Sequence, residues 1–347
     1  MLTKKQVQEI KKHLERAQNP LFLFDNDLDG LCSFLLLRRY LDRGKGFPIK
    51  SAPDLTKEYL RKVHELNPDY IFILDKPRVS EDFFEEVEKI NLPVVWIDHH
   101  QSEREKIPFF VNYYNPLYNR TKKNEPVTAL CYQITNRKED RWIALIGSIA
   151  DKFLPDFYPE FRKENKELTI DSKDSSEIYY NSEIGEIARM LSFSLMDRTT
   201  NVINTLKFLM RVKSPYDVLE ENNSTSSIHK RAKELYEKYK KLIEKAKKEA
   251  EESGKFLFFK YGSDISMSAD IANRLIYLFP EKVIAVVRIN DSRASCSIRG
   301  KNIRGKVVKA IENIEGATGG GHENAVGAQM RSGNVEEFEK ILREMVE

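Results

Sequence analysis

Residues 21–30 read LFLFDNDLDG. The four apolar residues Leu21–Phe24 have the length and composition of a short buried strand, and the apolar run LCSFLLLRRY after Gly30 predicts the first turns of a helix. Between them stand three carboxylates, Asp25, Asp27 and Asp29. A strand that stops at a cluster of like charges is a poor way to build a core, because each buried carboxylate is costly unless compensated. The usual compensation is a divalent cation. An EF-hand loop is excluded: with Asp25 at its first position the twelfth is Leu36, where a bidentate Glu is required, and LFLF cannot end a helix. A plain polar turn stays open until other carboxylates are found.

Working outward, residues 3–18 alternate apolar and charged positions at helical spacing, with Thr3 as the cap and His13 as a solvated helix residue. A helix over about 31–43 follows the acidic turn and ends at RGKG. Helix 56–66 leads to a strand, YIFILD, that closes on Asp75. Helix 80–90 leads to VVWIDHH, which closes on Asp98, His99 and His100. Strand–helix alternation of this kind predicts an α/β fold with a doubly wound parallel sheet. Ligands of such sheets bind beyond the carboxyl ends of the strands. Three successive strands ending in carboxylates, the last adding two imidazoles, point to a metal site rather than to polar turns. Segment 127–151 reads as two helices, the second (WIALIGSIA) carrying Asp151 at its end, with Gly147 and Ser148 permitting close approach to a neighbour.

Residues 155–180 are polar without clear periodicity and read as a loop or insertion, and 182–212 read as helical. Residues 226–253 predict a long charged helix, a solvated connection with a sparse apolar stripe at Ile228, Ala232, Leu235, Tyr239, Leu242 and Ala246. His229 within it has no partner at metal-binding spacing. From about Lys255 the strand FLFFKY, a helix over 267–278 and the strands VIAVVRI and ASCSIRG predict a small mixed α/β domain. It reaches GATGGGHENAVGAQM, residues 316–330. Three consecutive glycines permit close backbone approach to a ligand and leave amides for anions, and a helix is expected over AVGAQM, whose start would favour a phosphate.

The chain has 347 residues, enough for two domains, and a net charge of +3, which permits a basic groove without demanding one. Cys32, Cys131 and Cys296 lack CxxC spacing, so they read as small buried hydrophobes. No signal peptide and no apolar run near 18 residues is seen, so a soluble, cytoplasmic protein without membrane contact is expected.

Asp27-x-Asp29-Gly30, Asp75, Asp98-His99-His100 and Asp151, in this order, resemble motifs I to IV of the DHH phosphoesterase superfamily. GGGHENAVG, preceded by Ser297-Ile298-Arg299, resembles its DHHA1 domain. The resemblance implies a catalytic DHH domain over 1–180, a helical connector over 181–253 and a substrate-binding DHHA1 domain over 254–347. It implies two divalent ions, Mn²⁺ before Mg²⁺, held by Asp27, Asp29, Asp75, His99 and Asp151, with Asp75 as a bridge and Asp25 either a ligand or a partner behind the ligands. His100 would contact the scissile phosphate or assist proton transfer, and Asp98 would orient the imidazoles. Ser297, Arg299, Gly319, Gly320, Gly321, His322 and Asn324 would hold the phosphate or the terminal nucleotide.

Members acting on nanoRNA, pAp or cyclic dinucleotides carry HxNPDxD at motif I. Here Leu23 stands at the His position and Asp25 at the Asn position, and DxDxDG is similar to RecJ-type single-strand exonucleases, above all the compact archaeal ones. The activity this implies is metal-dependent release of 5′-mononucleotides from single-stranded DNA or RNA, 3′→5′, in repair or replication. A replication or fork-processing helicase and self-association are the implied protein partners. Two alternatives stand beside it: a phosphodiesterase for small nucleotides, and a non-catalytic DHH subunit of a replication or repair complex, for which Leu23 is the support.

Overall fold

In strand β1 (Pro20–Asp25) side chains alternate between two apolar layers. Phe22 and Phe24 join one buried cluster with Phe34, Phe72 and Ile97; Leu21 and Leu23 join another with Ile71, Ile73 and Trp96. A strand apolar on both faces belongs inside a parallel sheet covered by helices on each side. The computed structural model, which describes residues 1–51, 54–223 and 225–347, has that arrangement. Beside β1 lie β2 (Lys45–Ile49), β4 (Tyr70–Leu74), β6 (Val94–Ile97) and β7 (Val111–Tyr114), in the order β2-β1-β4-β6-β7 and all parallel; β3 (Asp54–Leu55) and β5 (Arg78–Val79) form a separate short ladder. Helices Leu28–Leu41, Val127–Thr135, Arg141–Ala150 and Glu183–Leu195 cover the Phe22 face, and Leu60–Leu66 and Glu81–Lys89 cover the Leu21 face. Phe24 and Phe34 stack with centroids 5.0 Å apart, and each fully buried Phe contributes about 1.5–3 kcal/mol.

The order reverses between β1 and β4, which makes the gap at their carboxyl ends the switch point of the sheet. The sequence marks the three central strands and misses the two edge strands. β2 opens on Lys45-Gly46 and carries Pro48, which an edge tolerates and a central strand does not. Residues 155–180 are not a loop. They hold the helices Tyr158–Glu164 and Ser175–Asn181, and Tyr158, Phe161, Leu168 and Ile178 enter the core. Helices of seven residues are too short to display a periodicity, so apolar anchors spaced among charges look like none.

The described chain divides into two compact units, Met1–Ala232 and Lys233–Glu347. Helix Ser226–Glu252 carries the chain from one to the other. Five residues of its expected stripe are buried, but Ile243, four after Tyr239, replaces Leu242, and the repeat continues to Ala250. The helix is therefore amphipathic along its length rather than simply solvated.

In the second unit, β8 (Phe256–Gly262), β9 (Val283–Asn290), β10 (Arg293–Arg299), β11 (Thr318–His322) and β12 (Ala325–Arg331) form a mixed sheet in the order β11-β12-β10-β9-β8, with only β8 and β9 parallel. Helices Arg304–Glu312 and Val335–Val346 pack on one face with Cys296, Ile298, Val326 and Ala328. Helix Ser268–Leu278 packs against β9 and β10. The helix expected over AVGAQM is a strand: Val326, Ala328 and Met330 are buried and their neighbours are not, a period of two. No helix start stands there to favour a phosphate. No helix among the described residues is long and apolar enough to cross a membrane.

Candidate metal centre at the strand ends

β1 hands the chain to the helix Leu28–Leu41 through Asp25-Asn26-Asp27. Asp27 caps that helix, its Oδ1 accepting from the Gly30 amide at 2.9 Å. A Cβ on Gly30 would lie 2.3 Å from the Asp25 carbonyl oxygen, so the turn closes this tightly only with glycine there. Asp29, in the first turn, is buried. Its two oxygens accept from the amides of Val127 (2.8 Å) and Thr128 (2.6 Å), where the helix Val127–Thr135 begins. A helix start is a favourable place for a carboxylate. One residue thus ties two helices to the site.

Asp75 follows β4 with φ +60, a left-handed backbone held by its amide donating to the Ile97 carbonyl at 3.0 Å. Its Oδ1 is enclosed with no hydrogen-bond partner among the described residues, while His99 Nε2 lies 3.4 Å and His100 Nδ1 3.8 Å from it. His99 Nε2 is also 3.9 Å from Asp29 Oδ2, and its Nδ1 is 3.8 Å from Asp151 Oδ2 and 3.1 Å from Asn124 Oδ1. Two sets of ligand atoms converge, Asp29 with His99 and Asp151, and Asp75 with His99 and His100. Ligands about 2.1 Å from one hard cation stand roughly 3 Å apart, close to these separations. Carboxylate oxygens with imidazole, and a buried oxygen lacking a donor, fit a divalent ion such as Mn²⁺ or Mg²⁺.

Asp98 is fully buried behind the imidazoles. Its Oδ1 accepts from His100 Nδ1 at 2.8 Å, and its Oδ2 from Ser102 Oγ at 3.1 Å and Tyr113 OH at 3.0 Å. Asn115 Nδ2 donates to Tyr113 OH and to the His100 carbonyl, both at 2.8 Å. The chain of bonds fixes the ring of His100 and its tautomer.

The electrostatics follow from crowding. Loss of water around the carboxylate, with Asp25 and Asp29 adding their charges, pushes Asp27 up to about 7. Burial and then Asp29 and Asp27 push Asp75 well above the usual carboxylate range, and burial and Asp29 push Asp151 to about 6. Asp27 and Asp151 both keep exposed surface at the rim of the cluster. Burial also opposes the charges on Asp98 and His100, but their hydrogen bond prevails, holding Asp98 low and His100 high.

Leu23, at the motif I His position, is buried in the apolar layer with Ile73 and Trp96 and offers no ligand. Lys76, Ser102, Tyr113, Asn115, Asn124 and Thr128 were not singled out by sequence. Tyr113 and Asn115 alternate along the missed β7 and just after it; the others stand one to four residues from a motif or at a helix start, with no spacing of their own.

The remaining candidates lie in the second unit. Arg299, Ala325 and His322 form one cross-strand row and Ser297, Gly327 and Gly320 the next, on the sheet face opposite Cys296 and Ile298. Arg299 Nε donates to Asn273 Oδ1 at 2.7 Å. A Cβ on Gly320 would meet open space, one on Gly319 would strike Ile311, and Gly321 has φ +147. Asn324 Oδ1 accepts from the Asn302 amide at 2.9 Å, tying the β11–β12 turn to the segment after β10.

Residues 21–151 match the model of the DHH family, N-terminal domain, and residues 253–347 that of the DHHA1 domain. Among solved structures, the chain is similar to RecJ in complex with Mn²⁺ from Thermus thermophilus, at 14% identity and TM-score 0.71 over 99% of this chain and 54% of that one. It is similar also to an exonuclease RecJ bound to manganese (14% identity, TM-score 0.65, 100% and 95% covered) and to CDC45 from Entamoeba histolytica (10%, 0.56, 98% of each). The chain spans about half the length of the Thermus RecJ chain. No curated protein matches it.

Proposed function

From a chain that belongs to the DHH family and carries a DHHA1 domain, we propose a metal-dependent phosphodiesterase that removes 5′-mononucleotides from single-stranded DNA or RNA, with 3′→5′ polarity. The observation that carries the reading is the convergence of Asp29, Asp75, His99, His100 and Asp151 at the switch point. Asp27, Asp29, Asp75, His99 and Asp151 would hold the ions. Bound there, two divalent ions supply an activated water and charge neutralisation for an in-line displacement. Asp98 holds His100 Nδ1, so that Nε2 is the atom assigned to a phosphate oxygen or to a proton. Asp29 serves twice, bonding the amides of Val127 and Thr128 and facing His99.

A polymeric substrate is favoured over a small one by two features. Motif I has the DxDxDG form, and the segment before Asn124, which reaches His99, exposes Arg120, Lys122 and Lys123. Cations there suit a phosphate backbone, and binding should weaken steeply with salt. In the second unit, Ser297, Arg299, His322, Asn324 and the Gly319–Gly321 backbone are assigned to the terminal nucleotide. Self-association and a helicase partner belong to the same reading, and the likeness to CDC45 supports a replication setting.

The test is incubation of single strands of DNA and RNA, labelled at either end, with Mn²⁺ or with EDTA. A ladder growing from the 3′ end only with metal is expected. Cleavage confined to pAp or a cyclic dinucleotide would replace this substrate class with the small one. Silence on all of them, with metal bound, would make the chain a binding subunit.

A further inference from the structure

Lys76 is 0% exposed. Its ammonium donates to Asp25 Oδ1 at 3.1 Å and to the Ser51 carbonyl at 2.8 Å. Three adjacent strands therefore meet at one nitrogen: Lys76 comes from beyond β4, Asp25 closes β1 and Ser51 follows β2. The lysine backbone is fixed too, its carbonyl accepting from Trp96 Nε1 at 3.0 Å. A lysine with no exposed surface needs a matching charge, since an unpaired buried ammonium is strongly destabilising. Asp25 is that match. The same oxygen, Oδ1, also accepts from the Asn26 amide at 2.9 Å. A metal ion that took this Oδ1 would deprive the buried ammonium of its counter-charge.

We propose that Lys76 is a built-in counter-ion of the centre. It holds Asp25 out of the ligand set, and its fixed positive charge weakens the hold of the acidic cluster on divalent cations. Asp25 and Leu23 then contribute no ligand from the β1 side, and the ions depend on Asp27, Asp29, Asp75, His99 and Asp151. The inference rests on the metal reading above and adds to it a residue that sets affinity without touching the ion.

Calorimetric titration of the EDTA-stripped full chain with Mn²⁺ tests it without recourse to activity. Lys76→Met removes the opposing charge and releases Asp25, so Mn²⁺ should bind at least about tenfold more tightly. The double variant Asp25→Asn/Lys76→Met keeps the net charge of the parent and should bind within about threefold of it. Unchanged or weaker binding by Lys76→Met would overturn the counter-ion role. A tenfold or greater loss in the double variant would make Asp25 a ligand and overturn the proposal equally. Should Lys76→Met fail to fold, the neutral pair in the double variant carries the test alone. Absence of Mn²⁺ binding by the parent is a different result: it would overturn the metal reading itself, and this inference with it.

Discussion

At the scale of single residues, Asp75 combines a left-handed backbone with a buried carboxylate oxygen that has no hydrogen-bond partner among the described residues. A left-handed backbone on a non-glycine residue costs about 1–3 kcal/mol and persists where the surrounding structure holds it, as the Ile97 carbonyl does here. Asn accepts the same backbone, so Asp75→Asn should fold as well as the parent, while metal-dependent turnover falls at least about 100-fold. Activity within tenfold of the parent, measured on the same labelled strand, would remove Asp75 from the site.

The carboxylates make a pH prediction. In the folded chain Asp27 titrates at about 7 and Asp151 at about 6, and Asp75 is raised as well, against an ordinary value of 3.8. Between about 4 and 7 the folded state therefore holds more protons than the unfolded one. The stability these groups contribute is full below 4 and is lost as pH rises toward 7. Melting of the EDTA-treated protein should come earlier at pH 7.5 than at pH 5.5, and Asp27→Asn should flatten that slope. A parent more stable at pH 7.5 would contradict the assignment. Behind the imidazoles, Tyr113→Phe deletes one bond to Asp98; kcat should fall about tenfold with KM unchanged. The carboxylates of this network could be found from sequence because a strand that stops on Asp is anomalous. Tyr113, Ser102 and Asn115 could not, since nothing in their spacing distinguishes them from surface polars.

At the scale of elements, β1 lies close against the helix after it. Gly30→Ala would press a methyl group to within 2.3 Å of the Asp25 carbonyl and should destabilise by about 1–3 kcal/mol. It should weaken Mn²⁺ binding as well, because Asp27 and Asp29 sit in the same turn. A midpoint in urea unchanged from the parent would show that the turn relaxes freely. Elements were legible where their pattern was long or doubly apolar: β1, β4, β6, the helix Lys4–Arg16 with Thr3 as cap, and the helix Ser226–Glu252. They were illegible where a short length hid the period, as in Tyr158–Glu164. In Ala325–Arg331 the small residues Ala325, Gly327 and Ala328 gave a pattern that a helix and a strand satisfy equally until burial decides.

At the scale of the whole molecule, the chain pairs a sheet that gathers carboxylates with a second unit that offers Arg299, Ser297, Gly320 and His322 on one face. Chemistry and capture should therefore separate kinetically. Arg299→Ala should raise KM for short strands by about tenfold and leave kcat nearly intact; a loss confined to kcat would move Arg299 into the reaction. The matches to the DHH and DHHA1 models were anticipated by their motifs. The first rests on residues far apart in sequence, from Asp25 to Asp151, that only the parallel topology brings together.

Diffraction from crystals soaked in Mn²⁺, recorded at the manganese absorption edge, bears most directly on the central claim. An anomalous peak within about 2.0–2.3 Å of oxygens or nitrogens of Asp29, Asp75, His99 and Asp151 is the predicted result. A map without a peak among these residues, from crystals diffracting well enough to place them, would contradict it.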